Sequence, residues 1–222
     1  AMHVLSKIAL RKNPGVKLLS CSKQMKDILK KVLEHQPVVA IHGNHDRRSR
    51  SEINAVEALE NAGYWVHLQN DTIIFEKDGV KVAIHGMSSV PERYAAQTLR
   101  EWGPQPVEGC TNILMMHQSI DPYIYSPLEP PSLKLNELPE GFDIIINGHL
   151  HSHLMEKIGN TIFFIPGSTV TTQMERTEAE IPKGIMQITI ANKPEVKFVP
   201  LENNRKFFYE EINVDKNNSL RD

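Results

Sequence analysis

Val38-Val39-Ala40-Ile41-His42-Gly43-Asn44-His45-Asp46 decides how the rest of this chain reads. An apolar, mostly β-branched run forms a buried strand, and the chain turns polar immediately after it. The same arrangement recurs twice. Asn112 to Met116 runs into His117, and Asp143 to Ile146 runs into Asn147-Gly148-His149-Leu150-His151. A fourth apolar strand, Thr161 to Ile165, ends in Pro166-Gly167-Ser168-Thr169. Strand ends on a packed sheet are rigid platforms, and the loops there gather at one rim, where ligands bind. Polar residues placed by chance would scatter over turns and helix faces.

The flanking segments supply an α/β frame. Met25, Ile28, Leu29, Val32 and Leu33 follow helical spacing, with Lys23, Lys26, Lys30 and Lys31 opposite, and Pro37 ends that helix. Ser49-x-x-Glu52 reads as a capping box for a second helix carrying Ile53, Val56 and Leu59 on one face, with Gly63 as its stop. Three hairpins are expected. Thr72–Phe75 and Val80–Ile84 flank Glu76-Lys77-Asp78-Gly79; Leu154–Ile158 and Thr161–Ile165 flank Gly159-Asn160; Gly184–Ile190 and Glu195–Pro200 flank Asn192-Lys193-Pro194. Pro122 to Pro139, with Tyr123 and Tyr125, reads as a long surface connection.

Bulk properties narrow the class. A chain of 222 residues fits one large domain, or one domain with a short appendage. No apolar run approaches the roughly 20 residues of a membrane span. Ala1-Met2-His3-Val4 has neither a basic n-region nor a long apolar h-region, so no secretion signal is expected. Cys21 and Cys110 are the only cysteines and sit in unrelated contexts, which argues for a reducing compartment without a disulfide framework. With 25 basic and 27 acidic residues the net charge is −2, so any nucleic acid must be held by local clusters and bound cations.

The chemistry lies in the loops. Asn44, His45 and Asp46, then His117, then His149 and His151 offer imidazole nitrogens with amide and carboxylate oxygens, a donor set for divalent ions such as Mn²⁺, Zn²⁺ or Fe²⁺. Thiolate is absent from the set, which argues against a structural zinc site. In an extended loop residues two apart point the same way, so His149 and His151 suit two neighbouring ions. Two ions about 3.5 to 4 Å apart bind both the attacking and the leaving oxygen of a phosphoryl displacement. Alone, His117 reads as a packed core histidine and Asn44-His45-Asp46 as a polar turn; three such loops in series favour ligation. The other histidines keep plain structural readings: His42 packed, His35 and His67 exposed, His85 following a strand, His153 beginning one. Arg47, Arg48 and Arg50 beside the first loop suit either DNA phosphates or a solvated helix entry.

Gly43-Asn44-His45-Asp46, the strand-end His117 and Gly148-His149-Leu150-His151 resemble the later motifs of the calcineurin-like metallophosphoesterases, whose series runs D-x-H, G-D, G-N-H-D/E, H and G-H-x-H. Within that superfamily, Gly43 to Arg48 followed by an amphipathic helix, Leu138-Pro139-Glu140-Gly141-Phe142-Asp143, Pro166-Gly167-Ser168-Thr169, Val170-Thr171-Thr172 and Arg205-Lys206-Phe207-Phe208-Tyr209 are similar to the archaeal Mre-eleven-type DNA repair nucleases, over roughly 37–214. The resemblance implies a four-layer α-β-β-α sandwich of two mixed sheets. It implies two Mn²⁺ ions, with Asn44, His117 and His149 serving one and His151 the other. It gives His45 the leaving oxygen and Asp46 the task of orienting His45; Arg47, Arg48, Arg50 and Ser168 are candidate substrate contacts beside the motifs. DNA, a homodimer partner and a Rad-fifty-type ATPase are the implied partners, in the nucleoid-associated cytoplasm of an archaeon or in a eukaryotic nucleus.

The sequence departs from that series upstream of Asn44, where neither D-x-H nor G-D occurs. Val16 to Leu19 fits the slot of the G-D strand, but Ser20-Cys21-Ser22 follows it. The expectation is therefore an N-terminally incomplete chain lacking its first strand or strands, holding one ion or none and impaired in catalysis. Residues 1–36 read as a remnant of the phosphoesterase domain, 37–204 as its core, and 205–222 as the start of a capping domain. Two other functions fit the same letters: a phosphomonoesterase or cyclic-nucleotide phosphodiesterase, and a non-catalytic dimerising module that binds DNA ends.

Overall fold

The computed structural model describes residues 2–24, 32–48, 52–126, 128, 131–173, 175–191, 193–202, 205 and 208–212. The first half comprises α1 (Met2–Ala9), β1 (Lys17–Cys21), β2 (Val39–Ala40), a 3-10 turn (Asn44–Asp46), α2 (Ala55–Asn61), β3 (Val66–His67), β4 (Asn70–Lys77), β5 (Val80–Met87) and α3 (Glu92–Trp102). The second half adds β6 (Thr111–Met116), β7 (Ile120–Asp121), β8 (Leu133–Lys134), β9 (Ile144–Asn147), β10 (Leu154–Ile158), β11 (Thr161–Ile165), α4 (Arg176–Glu180), β12 (Gly184–Ile190) and β13 (Pro194–Pro200).

Seven strands make one mixed sheet in the order β1-β4-β5-β6-β9-β11-β10. Its centre, β5-β6-β9-β11, is parallel. Antiparallel pairs complete both flanks. The parallel strands are covered on both faces, which is why they read as unbroken apolar runs. Strand alternation sorts their side chains. Met87, Leu114, Met116, Ile145, Phe163 and Ile165 face Ala95 and Leu99 of α3. Val82, Ile113, Ile144 and Phe164 point the other way and meet Met186, Ile188, Ile190 and Val196 of the β12–β13 ribbon. On that same face Ile73, Phe75 and Ile84 pack against Val39 and Val66 of the β2–β3 ribbon. Each fully buried side chain such as Phe163, Leu114 or Ile144 contributes about 1.5–3 kcal/mol.

The expected layered α/β architecture is borne out; among the described residues the second layer consists of two two-stranded ribbons, parallel β2–β3 and antiparallel β12–β13, facing the large mixed sheet. Between the ribbons runs an apolar groove floored by Val82, Ile84, Ile113 and Met115. α2 lies against β3, and the Trp65 indole N–H donates to Val56 O at 2.9 Å. β1, read from sequence as part of a remnant, is an integral edge strand paired to β4.

Several local expectations change. The helix over residues 25–31 lies largely outside the described residues, as do Ser49 and Arg50. α2 is capped not from Ser49 but by Asn54, whose side chain accepts from Glu57 N while Glu57 bonds back to Asn54 N. Ile53 therefore precedes the helix and is 65% exposed. The β4–β5 strands run longer than read, because Asp78 and Gly79 take positive φ and close the hairpin in a two-residue turn. The 122–139 connection is not a plain surface loop. β8 within its span pairs with β7 just before it, Leu133 is buried, and Tyr123 stacks on Phe163.

Candidate metal centre

β2 delivers the chain to Gly43, and the single 3-10 turn Asn44–Asp46 follows. Asp46 closes that turn twice: its N–H donates to Gly43 O at 3.1 Å, and its Oδ2 accepts from Gly43 N–H at 3.0 Å. Arg47 Nε donates to Asn44 O at 3.3 Å, and its guanidinium pairs with Glu92 at 3.4 Å. Arg48 donates to the carbonyls of His45 and Arg47. Both arginines thus brace the turn from the side. His45 stands exposed at its tip.

β6 and β9 are parallel neighbours, so the loops that leave them start side by side. Asn147, fully buried at the end of β9, locks those loops together. Its Oδ1 accepts from Gln118 N–H at 3.0 Å and its Nδ2 donates to Gln118 O at 2.9 Å, extending the ladder by one side chain. Gly148 N–H adds a bond to Met116 O at 2.9 Å. His117 and His149 consequently meet edge to face, ring centroids 5.4 Å apart. His117 Nε2 lies 3.0 Å from Asn44 Oδ1. The ring fills the space between two glycines. A Cβ on Gly43 would sit 2.9 Å from His117 Cε1, and one on Gly148 would sit 3.3 Å from Nδ1. Burial, with the neighbouring His149 as second cause, pushes the His117 imidazole down to about 4. It is therefore neutral at physiological pH, the form that carries a lone pair.

His151 is held by a different group. Its Nδ1 is 2.7 Å from Thr172 Oγ1 and 3.7 Å from Glu178 Oε1. Glu178 forms an ion pair with Lys183 at 2.8 Å, and each residue is 4% exposed. Burial raises the Glu178 carboxyl, but the Lys183 ammonium and the Thr172 N–H outweigh it and leave the group below the ordinary carboxylate range. The Ser168 hydroxyl donates to Val170 O at 2.8 Å, so its main bond is to its own loop.

Beneath the turn lies a network the sequence did not announce. His67, expected at the surface, is fully buried. Ser88 Oγ donates to Leu68 O and accepts from His42 N–H, so it can only accept from His67 Nε2, 3.1 Å away. His67 Nε2–H then faces His42 Nδ1 at 3.0 Å, and His42 Nε2–H donates to Ser89 O at 3.2 Å. The chain of bonds assigns both tautomers. It leaves His67 Nδ1 as a bare, unpartnered lone pair. The other histidines are structural: His85 is buried between Thr72 and Asn112, and His153 stacks on Phe198. Cys21 belongs to the apolar cluster around β4, where burial raises its thiol.

The fold therefore brings Asn44, His117 and His149 together from three loops, places His45 and Asp46 on the same turn as Asn44, and secures His151 from another side. Two ligands at right angles on an ion with bonds of about 2.1 Å lie about 3 Å apart; Asn44 Oδ1 and His117 Nε2 show that separation. Their chemistry fits one borderline divalent ion. Among the described residues no group of three or more His, Cys, Asp and Glu is arranged to hold a metal, so an ion here would take the Asn44 amide oxygen as a donor beside the imidazoles. Asp46, the carboxylate of the turn, is engaged with Gly43. Sequence reasoning missed Asn147, Thr172, Glu178 and Lys183. Only Asn147 left a trace, as an amide closing the apolar run of β9.

A family described as Calcineurin-like phosphoesterase matches residues 15–153. The chain is 29% identical over 199 residues to the double-strand break repair protein mus-23 of Neurospora crassa, covering 79% of this chain and 26% of that protein. It is 26% identical over 198 residues to the human double-strand break repair protein MRE11, covering 79% and 27%. To the DNA double-strand break repair protein Mre11 of Methanococcus maripaludis it is 26% identical over 165 residues, covering 70% and 42%. The chain thus spans about a quarter of its fungal and animal relatives and just over two-fifths of the archaeal one.

Proposed function

Since the chain belongs to the calcineurin-like phosphoesterase family, we propose that it derives from a Mn²⁺-dependent nuclease of double-strand break repair, acting on DNA phosphodiesters as exonuclease and endonuclease. The observation that carries this reading is the approach of Asn44 Oδ1 to His117 Nε2 at 3.0 Å across 73 residues of sequence, with His149 against the same ring. Asn44, His117 and His149 would hold one divalent ion, and in an intact site His151 would serve a second. Such an ion supplies Lewis acidity and neutralises charge at a bound phosphodiester.

The remaining roles fall to the chain itself. Hydrolysis adds a water oxygen to phosphorus and breaks the bond to the leaving sugar oxygen, which needs a proton. His45, exposed at the tip of the turn, is placed to donate that proton from its ring. Asp46 keeps His45 in register by closing the turn on Gly43 N–H. Arg47, Arg48, Arg50 and Ser168 are assigned to phosphate contacts, with Arg50 outside the described residues. DNA, a second copy of the chain and a Rad-fifty-type ATPase are the proposed partners.

The 222 residues carry neither D-x-H nor G-D, so this polypeptide is assigned one ion and strongly reduced turnover. That half-site also favours a second reading, a non-catalytic module that binds DNA ends. Dialysis against Mn²⁺ followed by metal counting tests both, alongside cleavage and binding of a single-stranded oligonucleotide. About one ion per chain, lost in His149→Ala, with slow cleavage at best, supports the first. No retained metal with DNA binding intact supports the second. Rapid Mn²⁺-dependent cleavage abolished by His45→Ala would refute the impaired half-site.

A further inference from the structure

Glu178 and Lys183 are a buried ion pair, and neither belongs to the motifs that carry the phosphoesterase reading. A buried pair of this kind is costly to desolvate and is often replaceable by apolar residues without loss of stability. What its members touch therefore matters. Lys183 Nζ donates to Glu178 Oε1 at 2.8 Å and to His151 O at 3.2 Å. Glu178 Oε2 accepts from Thr172 N–H at 2.8 Å and lies 3.5 Å from Thr172 Oγ1. Thr172 Oγ1 lies 2.7 Å from His151 Nδ1. The His151 carbonyl also accepts from Ser168 N–H at 3.0 Å, and a Cβ on Gly167 would sit 2.9 Å from that oxygen. Apart from the Gln173 N–H, which also donates to Glu178, these contacts of the pair end on His151 or on the threonine bonded to its ring.

The carboxylate sets the roles in this set, with Oε2 3.5 Å from Thr172 Oγ1 and Oε1 3.7 Å from His151 Nδ1. A carboxylate is acceptor-only, so the Thr172 hydroxyl, if it bonds Glu178, must donate to it. Its oxygen then presents a lone pair to His151, and His151 Nδ1 must carry the proton. Nε2 is left bare, the state in which an imidazole takes a cation or accepts a proton. The paired Lys183 keeps the carboxylate charged and, through His151 O, fixes the backbone from which the ring hangs.

We infer that Glu178, acting through Thr172 and anchored by Lys183, is a positioning residue that holds His151 as the Nδ1–H tautomer with Nε2 free to bind a cation. This rests on the reading of His151 as a metal ligand. Outer partners of this type change metal affinity by about 10–100-fold when removed.

Thr172 is exposed, so its substitution tests the relay without disturbing the buried pair. The experiment uses the full chain with ¹⁵N-labelled histidine, without metal, at neutral pH, and reads the two ring nitrogens of His151. The wild type is expected to show a protonated Nδ1 and an unprotonated Nε2. Thr172→Val should mix or invert the tautomers, and Thr172→Ser should restore them. In parallel, Mn²⁺ alone is titrated: Thr172→Val should weaken the component contributed by His151 by about tenfold or more. An unchanged tautomer in Thr172→Val, or Thr172→Ser behaving as Val, overturns the inference. A changed tautomer with unchanged Mn²⁺ affinity upholds the positioning and overturns His151 as a ligand.

Discussion

Acid should unfold this protein through His67, and the size of the effect follows from its surroundings. The side chain is fully buried, with His42 at 3.0 Å, Ser88 at 3.1 Å and Lys23, whose ammonium donates to the His67 carbonyl at 2.9 Å; Glu60 accepts from the His67 N–H at 2.7 Å, and Glu57 and Asp71 exert a weaker opposing pull on the imidazole. Burial, then the positive charges of His42 and Lys23, lower the imidazole from 6.5 to about 4. A proton arriving at Nδ1 would also create a buried N–H where the atom now has no partner. In the unfolded chain His67 titrates near its ordinary value. Above about pH 6.5 both states are neutral and the group has no pH-dependent effect. As pH falls from there to about 4, the unfolded state takes up a proton that the folded state refuses, so stability declines. A depression from 6.5 to about 4 corresponds to about 3 kcal/mol at about 1.4 kcal/mol per unit. The perturbation is His67→Gln, whose amide can replace the Nε2–H donor without titrating. Urea unfolding from pH 7.5 to 4.5 is the assay, read as the difference between wild type and variant so that His117 and the carboxylates cancel. The variant should start less stable and lose about 2.5 kcal/mol less than wild type across that window, which stops short of the folded value. Parallel pH profiles for the two proteins would refute the argument.

Two further substitutions probe the site from its frame. Gly43→Ala places a methyl 2.9 Å from His117 Cε1, and since the φ of Gly43 is −90° the cost is steric, about 1–3 kcal/mol. Mn²⁺ titration and urea unfolding should show both affinity and stability falling; unchanged affinity would mean that the ring is free to move aside. Asn147→Leu removes both bonds to the Gln118 backbone and strands two buried polar groups, for about 2–4 kcal/mol in total. His117–His149 contacts by NMR should weaken in parallel, and intact contacts would show that Gly148 alone aligns the loops.

Much of the frame is legible in local sequence because local physics sets it. Fully covered parallel strands must be apolar on both faces, so β6, β9 and β11 stand out as runs ending in polar loops. Leu154–Ile158 and Thr161–Ile165 emerge with the expected limits because alternation and a Gly-Asn turn agree. α3 was not foreseen and was passed over between its flanking strands, although Ala95, Ala96, Leu99 and Trp102 recur at helical spacing and pack on one core. His67 was misplaced as well. It lies in the apolar run Trp65-Val66-His67-Leu68, all of it buried, but a lone histidine reads as exposed unless its partners, His42 and Ser88, are known to lie beside it.

The sequence by itself settled which residues stand at the ends of apolar strands, and with them the family. Periodicity and residue type are enough for that, since they report burial and backbone state one element at a time. Strand order and packing decided the rest: that Asn44 reaches His117, that Asn147 binds two loops into one rim, and that a buried Glu178–Lys183 pair closes on His151. Contacts between residues 73 apart, 29 apart and 32 apart leave no periodic trace, because they depend on how elements are arranged against one another and not on the character of any one of them.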